Sequence, residues 1–167
     1  MVTNSKILVT GGSGFIGTNI VNKLESLGND VISISKNLPK SYRYNSKVSY
    51  FDFDLTKTLP KSLYKELENI DYIINCAGYI DHITFEEGGM NIFEDHFKSL
   101  YNIAKISKQL NIKTLVHFGS SDEYGNLASP LNEEFRESPV SPYALSKLTS
   151  THFLQQMFQI RSSRKNV

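Results

Sequence analysis

The stretch KILVTGGSGFIG, residues 6–17, sets the tightest limit on how this chain can fold. Five strand-forming residues lead into glycines at 11, 14 and 17, with the apolar pair Phe15 and Ile16 between the last two. That order predicts a buried strand, a tight turn and the start of a helix. Each glycine has a separate task in such a unit. Gly11 permits the sharp turn, Gly14 lets backbone approach a diphosphate, and Gly17 lets helix and strand pack closely. Free amide groups and the positive helix end then favour phosphate. The spacing, G-x-x-G-x-x-G, is one residue wider at its front than the common G-x-G-x-x-G pattern.

The rest of the chain repeats the alternation. Ile16, Ile20, Leu24 and Leu27 share one helical face over residues 14–27. DVISIS (30–35) and VSYFDF (48–53) read as strands, a short helix follows at 60–68, and DYIINCAG (71–78) is a third apolar run ending in small residues. Phe93, Phe97, Leu100 and Ala104 give residues 90–110 a helical period. TLVHFGSS (114–121) is a further strand, and Pro142 suits the first turn of a last helix. Strand–helix alternation at this spacing predicts βαβ units and a parallel sheet covered on both faces, with five strands. At 167 residues the chain suffices for one hydrophobic core.

Two further stretches carry chemistry. SPYALSK places Tyr143 and Lys147 four residues apart, on one face of the predicted helix. A phenol is a poor base at neutral pH, and an ammonium one turn away favours its phenolate. Such a pair can exchange a proton with a hydroxyl or ketone while hydride moves elsewhere. GSSDEYG (119–125) follows a strand, and in open α/β sheets ligands bind beyond the strands' carboxyl ends. Ser121 or its neighbour Ser120 could there hydrogen-bond a reacting oxygen. The second strand ends in Ser35 followed by Lys36, where a carboxylate would bind the ribose hydroxyls of NAD and a cation would accept the 2′-phosphate of NADP. The lysine leans the coenzyme toward NADP and leaves NAD open.

VTGGSGFIG, DL at 54–55, NCAG at 75–78, GSSDEYG and SPYALSK together resemble the extended short-chain dehydrogenase/reductase family, in particular its nucleotide-sugar epimerases, dehydratases and 4-keto-reductases. The resemblance covers residues 6–158. It implies a Rossmann-like, doubly wound α/β fold, with residues 1–160 as an NAD(P)-binding domain, a polar tail at 161–167, and truncation after about five strands. It also implies that Gly11, Gly14, Phe15, Ile16 and Gly17 line the pyrophosphate, that Ser35 and Lys36 stand by the adenosine ribose, and that Asp54 and Leu55 meet the adenine. Ala77 and Gly78 would border the cofactor. Ser121, Tyr143 and Lys147 would be the catalytic triad, with Lys147 also holding the nicotinamide ribose. Some residues depart from the family pattern: no acid follows the second strand, and His96 and Ser99 stand where relatives commonly carry Asn and Gly. Asp122 and Glu123 resemble the acid–base pair of sugar 4,6-dehydratases, but in a turn one residue shorter.

By the same resemblance a nucleotide-sugar is the substrate, and the helices at 90–110 and 142–158 form a homodimer surface. Family members run to roughly twice this length, with a C-terminal lobe for the substrate, so the alternative is a cofactor-binding module without catalytic activity of its own. The net charge of +1, from 18 basic and 17 acidic residues, gives no electrostatic case for nucleic acid or an anionic membrane. No apolar run approaches the ~18 residues of a membrane span, and the single cysteine, Cys76, suits a reducing compartment such as the cytosol. The four histidines (82, 96, 117 and 152) have no metal-ligand spacing. His117, inside a strand, is expected to be packed or hydrogen-bonded, and Cys76 to be a small core residue.

Overall fold

A computed structural model describes residues 2–158; the polar tail expected at 161–167 lies outside them. The chain divides into two compact groups, one of Met1–Gly78 with Lys98–Phe118, the other of Tyr79–Phe97 with Gly119 onward. The first group holds the sheet: β1 (Lys6–Thr10), β2 (Asp30–Ser35), β3 (Ser49–Asp52), β4 (Tyr72–Asn75) and β5 (Thr114–His117). All pairings are parallel and the order is β3-β2-β1-β4-β5. β1 thus sits between β2 and β4. The chain builds outward in one direction and then in the other, so the crevice beyond the carboxyl ends of β1 and β4 is the topological switch point.

Parallel strands must be covered on both faces, and the sequence supplies apolar residues at both parities. Ile7, Val9 and Val31 face α1 (Phe15–Ser26) through Val21, with Ile20 and Leu24 at the margin. Leu8, Ile32, Ile34 and Ile73 face Leu63 of α2 (Lys61–Glu66), Leu67 just past its end, and Ile103 and Ile106 of α3 (Met90–Gln109). The helical period places Ile16 on the covered face of α1, and the structure does not. The face of α1 turned to the sheet is Gly17, Thr18 and Val21, whereas Ile16 is half exposed. Gly17 holds the place nearest the turn because α1 begins hard against it, and no side chain has room there.

Gly11 and Gly17 make this approach possible. Gly11 has φ +73°, in the left-handed region, and a Cβ on it would fall 2.7 Å from the Ala77 nitrogen and from the Cys76 carbonyl. A Cβ on Gly17 would collide with the Gly11 carbonyl oxygen, which is backbone and cannot swing aside. The turn is therefore wedged between α1 and the exit of β4.

The second group has its own local structure. Thr84 caps a single wide turn, Phe85–Gly89, through a reciprocal pair: its hydroxyl accepts from the Glu87 amide and the Glu87 carboxylate accepts from the Thr84 amide. Ser120 and Glu123 repeat the device on the short turn Ser121–Tyr124. Ser141 caps α4 (Pro142–Met157), accepting from the Ala144 amide at 3.1 Å, with Pro142 in its first turn. Sequence periodicity had no means of showing the wide turn, which is held by a cap rather than by an apolar face.

The wedge at Gly17 yields a test in which two effects oppose each other. Alanine in a helix interior gains about 1 kcal/mol over glycine by propensity, while forcing a methyl into packed backbone costs about 1–3 kcal/mol. Gly17→Ala is expected to lower the unfolding free energy by a net of up to ~2 kcal/mol, read from the urea midpoint; a raised midpoint would mean that α1 does not press on the turn.

Candidate functional site

At the switch point, buried polar groups fasten the strand ends. Asn75, the last residue of β4, accepts from the Thr10 hydroxyl at 2.6 Å and from the Ala77 amide at 3.1 Å, and donates its own amide to His117 Nδ1 at 2.9 Å. The carboxyl ends of β1, β4 and β5 are thereby tied to one side chain, and the Ala77–Gly78 turn leaves from it. His117 is hydrogen-bonded, as its strand position led one to expect. Cys76 is partly buried against the α1-side core.

The glycine turn itself leaves its helix end free of side chains. Gly14 is the N-terminal cap of α1, no side chain caps the first-turn amides, and no acidic residue stands in that turn. Phe15 is 75% exposed. Two residues from elsewhere hold the turn: the Ser35 hydroxyl accepts from the Ser13 amide at 3.2 Å, and Arg43 donates to the Ser13 carbonyl at 3.2 Å. Ser35 was expected beside the coenzyme ribose, and its bond to the turn fixes its place. Ser13 and Arg43 escaped the sequence reading because neither belongs to a spaced pattern.

Lys36 stands exposed, with its ammonium 3.8 Å from Asp54. The amide and hydroxyl of Thr56 hold the Asp54 carboxyl below its usual range, with Lys36 assisting. Leu55, expected at the adenine, puts its side chain into the sheet core, so only its backbone remains for a ligand.

In the other group, Tyr143 and Lys147 lie one turn apart on α4 and are 7% and 8% exposed. The Tyr143 ring meets the edges of His82 and His96 at centroid distances of 6.1 and 5.6 Å. Of the two candidate serines, Ser120 spends its hydroxyl on the Asp122 amide, whereas Ser121 is exposed at the head of its turn. Glu123 is buried, and its carboxylate accepts from the Ser120 amide at 2.8 Å. A cavity of about 310 Å³ is lined by residues 82–86, 139–142 and Leu145. Among the described residues no cluster could hold a metal ion, and no helix is long and apolar enough to cross a membrane.

His96 is the residue whose importance the sequence understated. It is 7% exposed, with Nε2 3.2 Å from the Tyr79 amide and Nδ1 2.9 Å from the Ser146 hydroxyl. Burial, reinforced by the Lys147 charge, pushes its pKa down to about 4 from 6.5. In the unfolded chain the imidazole takes up a proton below about pH 6.5, while the folded protein refuses it until about pH 4. The resulting stabilisation is complete above that window and drains away as pH falls through it. Between pH 6.5 and 4, wild type should lose up to about 3 kcal/mol more of unfolding free energy than His96→Gln. Urea titrations at both pH values measure this, and parallel losses would contradict it.

Comparison with known proteins agrees with this architecture. The profile of the NAD dependent epimerase/dehydratase family matches residues 7–161. The chain is 30% identical over 166 residues to an ADP-L-glycero-D-manno-heptose-6-epimerase of Brachyspira hyodysenteriae, covering 92% of this chain and 49% of that protein. It superposes on the UDP-N-acetylglucosamine 4-epimerase of Methanobrevibacter ruminantium, solved with UDP-N-acetylmuramic acid. That match has a TM-score of 0.83 and 26% identity, over 95% of this chain and 52% of that one. The UDP-glucose 4-epimerase of Thermus thermophilus, in complex with NAD, gives a TM-score of 0.80 and 26% identity, over 92% and 51%. The chain spans about half the length of the relatives it matches. Matched along nearly all its length by that profile, and carrying the glycine turn, the parallel sheet and the SPYALSK helix, the chain belongs to the NAD dependent epimerase/dehydratase family.

Proposed function

We propose that this chain supplies the coenzyme-binding and proton-transferring part of an epimerase acting on a nucleotide-sugar. The observation that carries the reading is the burial of both Tyr143 and Lys147 on one face of α4. An accidental Tyr-x-x-x-Lys on a helix surface would leave the ammonium in water, where it costs nothing. Lysine is almost never fully buried unless its charge is used or paired.

In this reading Tyr143 exchanges a proton with a sugar hydroxyl, Lys147 stabilises the phenolate, and Ser121 hydrogen-bonds the reacting oxygen. The residues of the β1 turn fit a dinucleotide diphosphate, since the first-turn amides of α1 carry no side-chain cap and no acid competes for them. When bound, a nicotinamide coenzyme supplies acceptance and return of hydride. Gly11, Gly14 and Gly17 then serve the diphosphate, and Ala77 and Gly78 its neighbourhood. The dehydratase version, with Asp122 and Glu123 as acid and base, has less support because Glu123 is engaged in capping its own turn.

For coenzyme choice we favour NADP. Lys36 follows β2, Arg43 is anchored at Ser13, and the carboxylate beside Lys36, Asp54, is already engaged by Thr56 and Lys36. A cation directly after the second strand and a second one bonded to the glycine turn suit a 2′-phosphate better than two ribose hydroxyls.

Fluorescence titration of the chain should show NADPH binding about tenfold tighter than NADH, or about 1.4 kcal/mol, with the preference reduced in Lys36→Ala. Tighter NADH would reverse the coenzyme assignment. Product analysis on a panel of nucleotide-sugars, using the chain alone and the chain extended by a family C-terminal lobe, tests the reaction. Tyr143→Phe should lower turnover by about 10²–10⁴-fold, and undiminished turnover would remove Tyr143 from the chemistry.

A further inference from the structure

We propose that His96 is a positioning residue for the Tyr143–Lys147 pair, a neutral imidazole of fixed tautomer that ties the chain at Tyr79 to the first turns of α4. The proposal rests on the role given to that pair above. Its geometry stands by itself.

The protons can be placed from donor chemistry alone. A backbone amide only donates, so His96 Nε2, 3.2 Å from the Tyr79 nitrogen, must present a lone pair. A neutral ring then carries its proton on Nδ1, which lies 2.9 Å from Ser146 Oγ. Ser146 accepts there and donates its own proton to the Tyr143 carbonyl at 2.7 Å. The chain of bonds runs one way, from the Tyr79 amide through His96 and Ser146 to the backbone of Tyr143. Reversing any member would set two donors or two acceptors against each other. Ser146 is wholly buried, so a broken link could not be repaired by bulk water.

The groups facing the ring agree with a neutral imidazole. Burial opposes a proton, as does Lys147 of α4, while Asp95 on His96's own helix acts the other way and loses. Tyr143 and Tyr79 each meet the ring edge-on, at 5.6 and 5.2 Å between centroids. His82 meets Tyr143 at 6.1 Å. A charged ring here would compete with Lys147 for the phenolate. A neutral ring orients Tyr143 and leaves the ammonium as the cation of the pair.

Glutamine can present the same single acceptor and single donor, whereas leucine fills the space with neither. Nitrogen-15 NMR of the full chain should show His96 protonated at Nδ1 and neutral at pH 7. The ¹³Cζ resonance of Tyr143, assigned with Tyr143→Phe, should move in His96→Leu and return toward wild type in His96→Gln. In a turnover assay His96→Leu should lower kcat about 10- to 100-fold with little change in KM, and His96→Gln should recover most of it. A proton on Nε2, or a Tyr143 resonance and kcat that ignore the substitution, would overturn the proposal. If His96→Leu does not fold, the wild-type tautomer and the glutamine variant still decide. If neither the chain nor its lobe-extended form turns over a nucleotide-sugar, the assigned reaction fails, and the tautomer and the Tyr143 resonance alone judge His96.

Discussion

The Gly11 carbonyl lies where any side-chain carbon on Gly17 would have to go, and that crowding governs the first β–α unit. Backbone against backbone allows no adjustment by rotamer, so the turn has one conformation and α1 one starting point. The left-handed Gly11 completes the constraint by bringing the turn against Cys76 and Ala77 at the exit of β4. β4 pairs directly with β1, so crowding in one short segment sets both the central pairing of the sheet and the shape of its switch point. Uncapped amides at the head of α1 arise as a by-product. The helix must begin at a glycine with no side chain at its cap, so its first amides stay available.

This explains why the fold was legible in the sequence and where legibility stopped. β1 and β2 fall on KILVT and DVISIS residue for residue, because both concentrate β-branched and apolar residues in a short run. The αβ alternation and the β1 turn follow from the same pattern, and the family match agrees with them. Periodicity places Ile16 on a buried face because it treats every apolar residue as a core residue. Steric crowding reserves the place nearest the turn for Gly17. Contacts between residues far apart in the chain were not readable at all. Arg43 reaches Ser13 across thirty positions, and Asn75 gathers Thr10 and His117, without any spacing that announces it.

The candidate chemistry divides along the same line. Tyr143 and Lys147 announce themselves because a helix turns their spacing of four into a shared face. Their burial does not follow from spacing, and α4 is a weak guide to it because serines and threonines surround the pair. Ser146 and Ser150 are as inaccessible as Ala144, so α4 buries polar residues where a core helix would bury leucines. That composition has a cost, since each buried hydroxyl without a partner loses about 1–3 kcal/mol. Ser146 avoids it by standing between His96 and the Tyr143 carbonyl.

The same accounting separates a structural helix from a working one. Helices selected only for packing would replace Lys147 and Ser146 on α4 and His96 on α3 with apolar residues of similar volume, a change that is often neutral or stabilising for buried polar groups. Retaining all three requires every proton to have a destination, and the bonds from Tyr79 through His96 to Tyr143 provide one for each proton along that chain. An imidazole kept neutral beside an ammonium satisfies the Tyr79 amide and the Ser146 hydroxyl, which leucine could not do. It also adds direction: a fixed acceptor on one side, a fixed donor on the other, and a ring set across the Tyr143 ring at 5.6 Å.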